Sequence, residues 1–208
     1  MLFASAFSLP LALPSLPFSV TRAQGNEATR AAVDSAVAFR ESFGLRAGRE
    51  FVEDSLTRGG YSRVPYGIPL SDEELADMHH RLDIQMSLGP ATAYASDQPG
   101  YAGVYLNQER GGRPVFSFTR DDDERDAAIG RRLEDIPYDV RNVEYSLDRL
   151  TDVKYAVVDE ADSAWKAGVH IVSIGPDIER NRVEIGVEDL DESARNYLER
   201  FGPEVRPV

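Results

Sequence analysis

Residues 182–187 read Arg182-Val183-Glu184-Ile185-Gly186-Val187, with apolar side chains falling at alternate positions. That period of two predicts a strand with one buried face. Upstream, Gly168-Val169-His170-Ile171-Val172 supplies a second strand, and Glu179-Arg180-Asn181-Arg182 reads as a solvated hairpin turn. Downstream, a helix is predicted from Asp189 to Phe201, with Leu190, Ala194, Tyr197, Leu198 and Phe201 as its apolar stripe. Val205-Arg206-Pro207-Val208 follows as a short strand.

The same order of elements stands earlier in the chain. Gly103-Val104-Tyr105-Leu106 and Pro114-Val115-Phe116-Ser117-Phe118 flank a Gly111-Gly112 turn, which predicts a hairpin. Asp121-Asp122-Asp123-Glu124 opens a helix containing Ala128, Ile129 and Leu133, its acids suited to the positive end of the helix dipole. Val140-Arg141-Asn142-Val143-Glu144-Tyr145 is a third strand. Phe116 and Phe118 match Ile185 and Val187 at an offset of 69 residues. A long helix capped by Ser146 joins the two units and puts Leu147, Leu150, Val153, Val157, Ala161 and Trp165 on one face, with Trp165 expected in the core. A hairpin alone is marginal in water, whereas a helix laid across it and a third strand on its edge bury one sheet face. The expected fold class is therefore α+β, with an N-terminal helical segment and two hairpin–helix–strand units. The segments run 24–98 (helical), 99–145 (first unit), 146–166 (connecting helix) and 167–208 (second unit).

Within the helical segment, Asn26 is placed as the cap of a helix through Ala32, Val33, Ala36, Val37 and Phe43, ending at Gly44. A short helix holds Phe51, Val52 and Leu56, and the Gly- and Pro-punctuated run 59–69 is loop. Ser71-Asp72-Glu73-Glu74 has the form of a capping box. The positions Leu75, Met78, Leu82 and Met86 then make one stripe, and Gly89-Pro90 ends the helix.

Residues 1–20 carry no charge and are rich in Leu, Phe, Ala and Ser, but Pro10, Pro14 and Pro17 break the run every few residues. With Thr21-Arg22-Ala23 as a small-x-small site, residues 1–23 read as an export signal cleaved near Ala23. Acids outnumber bases 36 to 23, a net charge of −13. Such a surface repels a nucleic-acid backbone or an anionic membrane, so neither is expected as a partner of the mature form. Cysteine is absent, which excludes disulfides and thiol chemistry.

No catalytic motif stands in the sequence: Gly111-Gly112 lacks the spacing of a phosphate-binding loop, and no Gly-x-Ser-x-Gly elbow occurs. His79 and His80, with Asp83 four residues after His79, have no third ligand in a recognisable motif and read as solvated helix polarity. The acidic run at Asp121 lacks the logic of a calcium loop. His170, alternating with apolar neighbours, is expected to pack or to face a partner. No metal and no cofactor are expected.

The stretch Ala164-Trp165, Gly168 to Asp177 and Asn181 to Val187 resembles the propeptide domains of secreted bacterial serine proteases of the alpha-lytic protease and streptogrisin type. Phe39 to Arg46, Tyr66 to Ser71 and Gly103 to Gln108 look like the N-terminal regions of the same proteins. The resemblance implies a folding catalyst and tight inhibitor of a trypsin-like serine protease domain. In that family the C-terminal unit extends a protease hairpin by strand addition and its tail occupies the active-site cleft. Carried over, the contact elements are Arg182, Val183, Glu184, Ile185, Gly186 and Val187, together with Glu204, Val205, Arg206, Pro207 and Val208. The chain departs from the family in that no protease domain follows Val208. The expectation is a secreted, non-catalytic, propeptide-like module that binds, inhibits or assists the folding of such a protease. The alternatives are a fragment of a larger secreted serine protease, or an exported interaction domain without a protease partner.

Overall fold

The computed structural model describes residues 22–57 and 66–208, and the chain is α+β. The helical segment comprises α1 (Arg22–Ser42), α2 (Arg49–Thr57), α3 (Asp72–Ser87) and α4 (Gly89–Ser96). The first unit follows as β1 (Tyr101–Asn107), β2 (Arg113–Phe118), α5 (Asp123–Leu133) and β3 (Asp139–Asn142). Then come α6 (Leu147–Asp159), α7 (Ala161–Lys166), β4 (Ile171–Asp177), β5 (Arg182–Val187), α8 (Glu192–Glu199) and β6 (Val205–Pro207).

The expected export segment lies, except for Arg22 and Ala23 in α1, outside the described residues, as does most of the loop expected at 59–69. Asn26 falls inside α1 rather than at its start. The capping box is formed: Ser71 Oγ accepts from the Glu74 N–H and the Glu74 carboxylate accepts from the Ser71 N–H. The stripe of α3 differs from the expected one. Leu82 and Met86 are exposed, and Met78, Arg81 and Ile84 face inward instead, leading to the buried Leu88 beyond the helix end. Two arginines therefore occupy core-facing positions. Arg40 is fully buried, with Nη1 donating to Pro69 O (2.9 Å) and Nη2 paired with Glu74. Arg81 reaches from α3 to the first hairpin, where Nη1 donates to Phe43 O (2.8 Å) and to Gln108 O (3.0 Å). A buried guanidinium is tolerable because its five donors can each find an acceptor. α3 ends at Ser87, just before Gly89-Pro90 as expected, and Pro90 stands in the first turn of the next helix, α4, where its missing N–H costs nothing.

The two units have the same topology. The first sheet is ordered β1-β2-β3 and the second β4-β5-β6, each an antiparallel hairpin with a third strand parallel to its second. The hairpin registers coincide residue for residue. Val104 faces Phe116 as Ile174 faces Ile185, and Asn107 faces Arg113 as Asp177 faces Arg182. Each first strand carries a bulge at the same place, between Tyr101 and Gly103 and between Ile171 and Ser173. The turns match as well: Asn107 Oδ1 accepts from Arg110 N–H, Asp177 Oδ1 accepts from Arg180 N–H, and Gly111 and Asn181 both take positive φ. Gly112 is the one additional residue of the first turn, which shifts the offset from 70 to 69. The helices keep step, with Asp122 and Asp191 as N-caps and Ile129 and Leu198 fully buried.

In each unit one sheet face is covered by helices. Phe116 and Phe118 pack with Ile129, Leu133 and α4. Val183 and Ile185 pack with Leu198 and with Leu150, Val153 and Val157 of α6. The connecting helix is broken at Glu160, and Trp165 is 66% exposed rather than in the core. The second hairpin's first strand begins at Ile171, later than expected, and α8 is shorter than the predicted Asp189–Phe201.

The units are docked through the second hairpin's turn. Ile178 sits over Gly103, whose absent Cβ would lie 2.6 Å from Ile178 Cγ2. Arg141 Nη2 donates to Glu179 O (2.8 Å), while the Asn181 amide exchanges two hydrogen bonds with the Tyr145 backbone (2.8 and 2.7 Å).

Candidate binding surface

The expected contact residues fall in two different settings. Arg182, Val183, Glu184, Ile185, Gly186 and Val187 form β5, the central strand of its sheet. Its backbone is shared between β4 and β6, so strand addition at β5 is excluded: both sides are already paired. Val183 and Ile185 are fully buried, and Arg182 turns back to stack 4.9 Å from the Tyr145 ring and donate to Glu144 (3.2 Å).

Val205, Arg206 and Pro207 form β6, and Glu204 and Val208 flank it. These residues are part of the sheet rather than a free tail. Val183 N–H donates to Glu204 O (2.8 Å) and Val208 N–H to Ile185 O (2.9 Å). The Glu204 carboxylate is buried and accepts from Arg149 Nε (2.8 Å). Burial alone would raise its pKa. Hydrogen bonds from its own backbone N–H and from Arg149, with the charges of Arg149 and Arg182, outweigh this and hold it below the usual range.

The true edges of the sheet are β4 and β6, and backbone direction distinguishes them. Along β6, the groups of Glu204 and Val208 point inward to β5. Alternation then points the N–H of residue 205 and the nitrogen of residue 207 outward. The Val205 N–H is used by Gly202 O (3.2 Å) and Pro207 has none, so β6 offers no free donor to a newcomer. Along β4, Gly175 and Asp177 face the β5 residues Glu184 and Arg182, whose backbone groups turn toward β4, so Ile174 and Pro176 turn outward. Pro176 again has no N–H. Ile174 presents both an N–H and a C=O, and among the described residues no other backbone group pairs with them; Ile171, opposite Val187 whose N–H goes to Val208 O, turns outward as well.

Around this edge lies an open depression lined by Ser173, Ile174, Gly175, Pro176, Asp177 and Glu184. Just before β4, Trp165 stacks on His170 (centroids 4.1 Å apart, planes at 24°), and His170 Nδ1 lies 3.0 Å from Glu188 Oε2. His170 thus packs on an exposed ring. Val172, the bulged residue, is 68% exposed. Sequence reasoning missed Val172 and Trp165; the signal was an apolar residue at a bulge beside a helix break, and neither irregularity has a local sequence signature.

His79 and His80 are exposed on α3, as expected. Among the described residues no helix is long and apolar enough to cross a membrane. No family model matches the chain, and no curated protein matches it.

Proposed function

We propose that this chain is a secreted, propeptide-like binding module that engages a trypsin-like serine protease and adds one strand of it to the second sheet at β4. The observation that carries the reading is the outward-facing donor and acceptor of Ile174 on the β4 edge, opposite a β6 edge with no free donor. An edge residue with both groups free takes an antiparallel partner through two hydrogen bonds, and pockets beside it select side chains. The class of partner rests on the resemblance of residues 164–187 to the protease propeptides. The contact shifts from β5, which that resemblance implied, to its neighbour β4.

Slow inhibition of a secreted alpha-lytic-type protease, and faster refolding of that protease from denaturant, are the expected activities. Hydrogen exchange on the complex locates the contact: the Ile174 amide should become protected. A complex in which Ile174 still exchanges freely refutes strand addition at β4. Neither inhibition nor assisted refolding would leave the chain as an exported interaction domain with another partner.

A further inference from the structure

The two hairpins match so closely that each strand position of one has a counterpart in the other, and one face breaks the correspondence. In the first sheet the face opposite the helices is covered: Ala102 and Ser117 are fully buried, Val115 nearly so, and Ile178 of the second hairpin's turn rests on Gly103. In the second sheet the counterparts are Val172, Gly186, Glu184 and Ser173. Val172 is 68% exposed where Ala102 is 0% exposed, and Ser173 is exposed where Gly103 is buried. Gly175 stands where the first unit has Tyr105, and a Cβ there would meet nothing within 4 Å. The result is an open depression with Gly175 as its floor and Ser173 and Glu184 beside it, Ser173 Oγ covering the buried Gly186 and Val172 exposed next along the strand.

We propose that this open face is a seat for a β-turn with an aliphatic tip, presented by a partner protein of net positive charge. The chain's own architecture supplies the model of the occupant, since on the equivalent face of the first sheet the space over Gly103 is filled by an isoleucine at a hairpin tip. The seat in the second unit has a smaller floor, so the tip residue settles over Gly175. The immediate rim carries both signs, because Glu184 lies opposite Arg206 and 3.9 Å from Arg180. Attraction therefore comes from the whole chain, whose net charge of −13 steers a cationic protein toward it. A second copy does not fit. Both hairpin turns of the chain are already engaged, the first under Arg81 and the second on Gly103, and like charges repel. This inference does not depend on the partner being a protease.

The test is a titration of the isotope-labelled full chain, followed by amide chemical shifts. The probe is a short disulfide-closed β-hairpin with Ile at its tip and Arg on either side; the control is the same hairpin with Asp at the tip. The expected result is shifts at Ser173, Gly175, Glu184 and Gly186 with the Ile hairpin and not with the Asp one. Gly175→Tyr, which restores the first unit's residue at a position with room for it, should weaken binding about tenfold or more without lowering the urea midpoint. Val172→Asp, on an exposed side chain, should do the same. No shifts, equal shifts with the Asp hairpin, or undiminished binding by both variants would overturn the proposal. Shifts confined to the outer edge at Ile174 would overturn it too, while leaving strand addition at β4 standing.

Discussion

Replacing Arg81 by Ala removes a strut that no apolar residue can replace. The side chain is 8% exposed and donates to Phe43 O, Gln108 O, Gln108 Oε1 and Asp77. Asp77 is partly exposed and regains water, but the two backbone carbonyls are left short of a partner. Each buried polar group so orphaned costs about 1–3 kcal/mol, and the aliphatic stem also leaves its packing on Gly112. The expected loss is about 3–5 kcal/mol, the range for breaking a buried charged contact from one side. For a chain of this size that corresponds to roughly 6–20 °C in Tm. Gly112→Ala attacks the same joint from the other side. Its φ is +75°, and the new Cβ would lie 2.8 Å from Arg81 Cγ. The backbone term alone is about 1–2 kcal/mol, and the clash adds to it. In the Arg81→Ala background most of that clash disappears, so the pair should fall short of additivity, leaving mainly the backbone term. Urea unfolding followed by far-ultraviolet circular dichroism measures all three variants. A loss below about 0.5 kcal/mol for Arg81→Ala, the ordinary surface range, or strict additivity of the pair, would refute the bridging role.

Leu198→Ala and Ile129→Ala remove counterpart side chains that are both fully buried; each should cost about 2–5 kcal/mol in urea unfolding, and a surface-like value for either would refute the matched packing of the two units. Glu204 has a depressed pKa, so its contribution is present above the ordinary value of 4.5 and is lost as the pH falls through its lower folded value. Glu204→Gln should therefore flatten the acid limb of a stability–pH profile, and an unchanged limb would refute the assignment. Burial pushes the Tyr101 phenol from 10.0 up to about 12. Stability should accordingly decline between those two values, by about 2–3 kcal/mol, and ultraviolet titration should show a tyrosine ionising near pH 12 that disappears in Tyr101→Phe.

Much of this fold is visible in local pattern. The capping box at Ser71 and Glu74, the acidic caps at Asp122 and Asp191, and the offset of 69 between the hairpins are short-range signals, and the structure contains each. What periodicity misreads is burial of charge. Arg40 and Arg81 sit on inward faces, and a pattern that counts arginine as polar slides the stripe of α3 onto Leu82 and Met86, which are exposed. Sheet order was also within reach. A strand–helix–strand connection returns beside the strand it left, which places β2 and β5 in the centre and excludes β5 as an edge. The break at Glu160 and the exposure of Trp165 depend on tertiary packing of α6 and α7, and no spacing rule encodes them.

The two outward-facing prolines, Pro176 and Pro207, bear on how this molecule behaves when crowded. A three-stranded sheet with two ready edges is the starting unit for endless end-to-end growth into fibres. Here, among the described residues, β6 has no free outward donor, and on β4 Pro176 removes one and leaves those of Ile171 and Ile174. Growth through β6 is therefore blocked at its donors, and β4 is left as the margin that takes a guest strand. Concentrated solutions should accordingly show no cross-β growth through the β6 margin of this sheet.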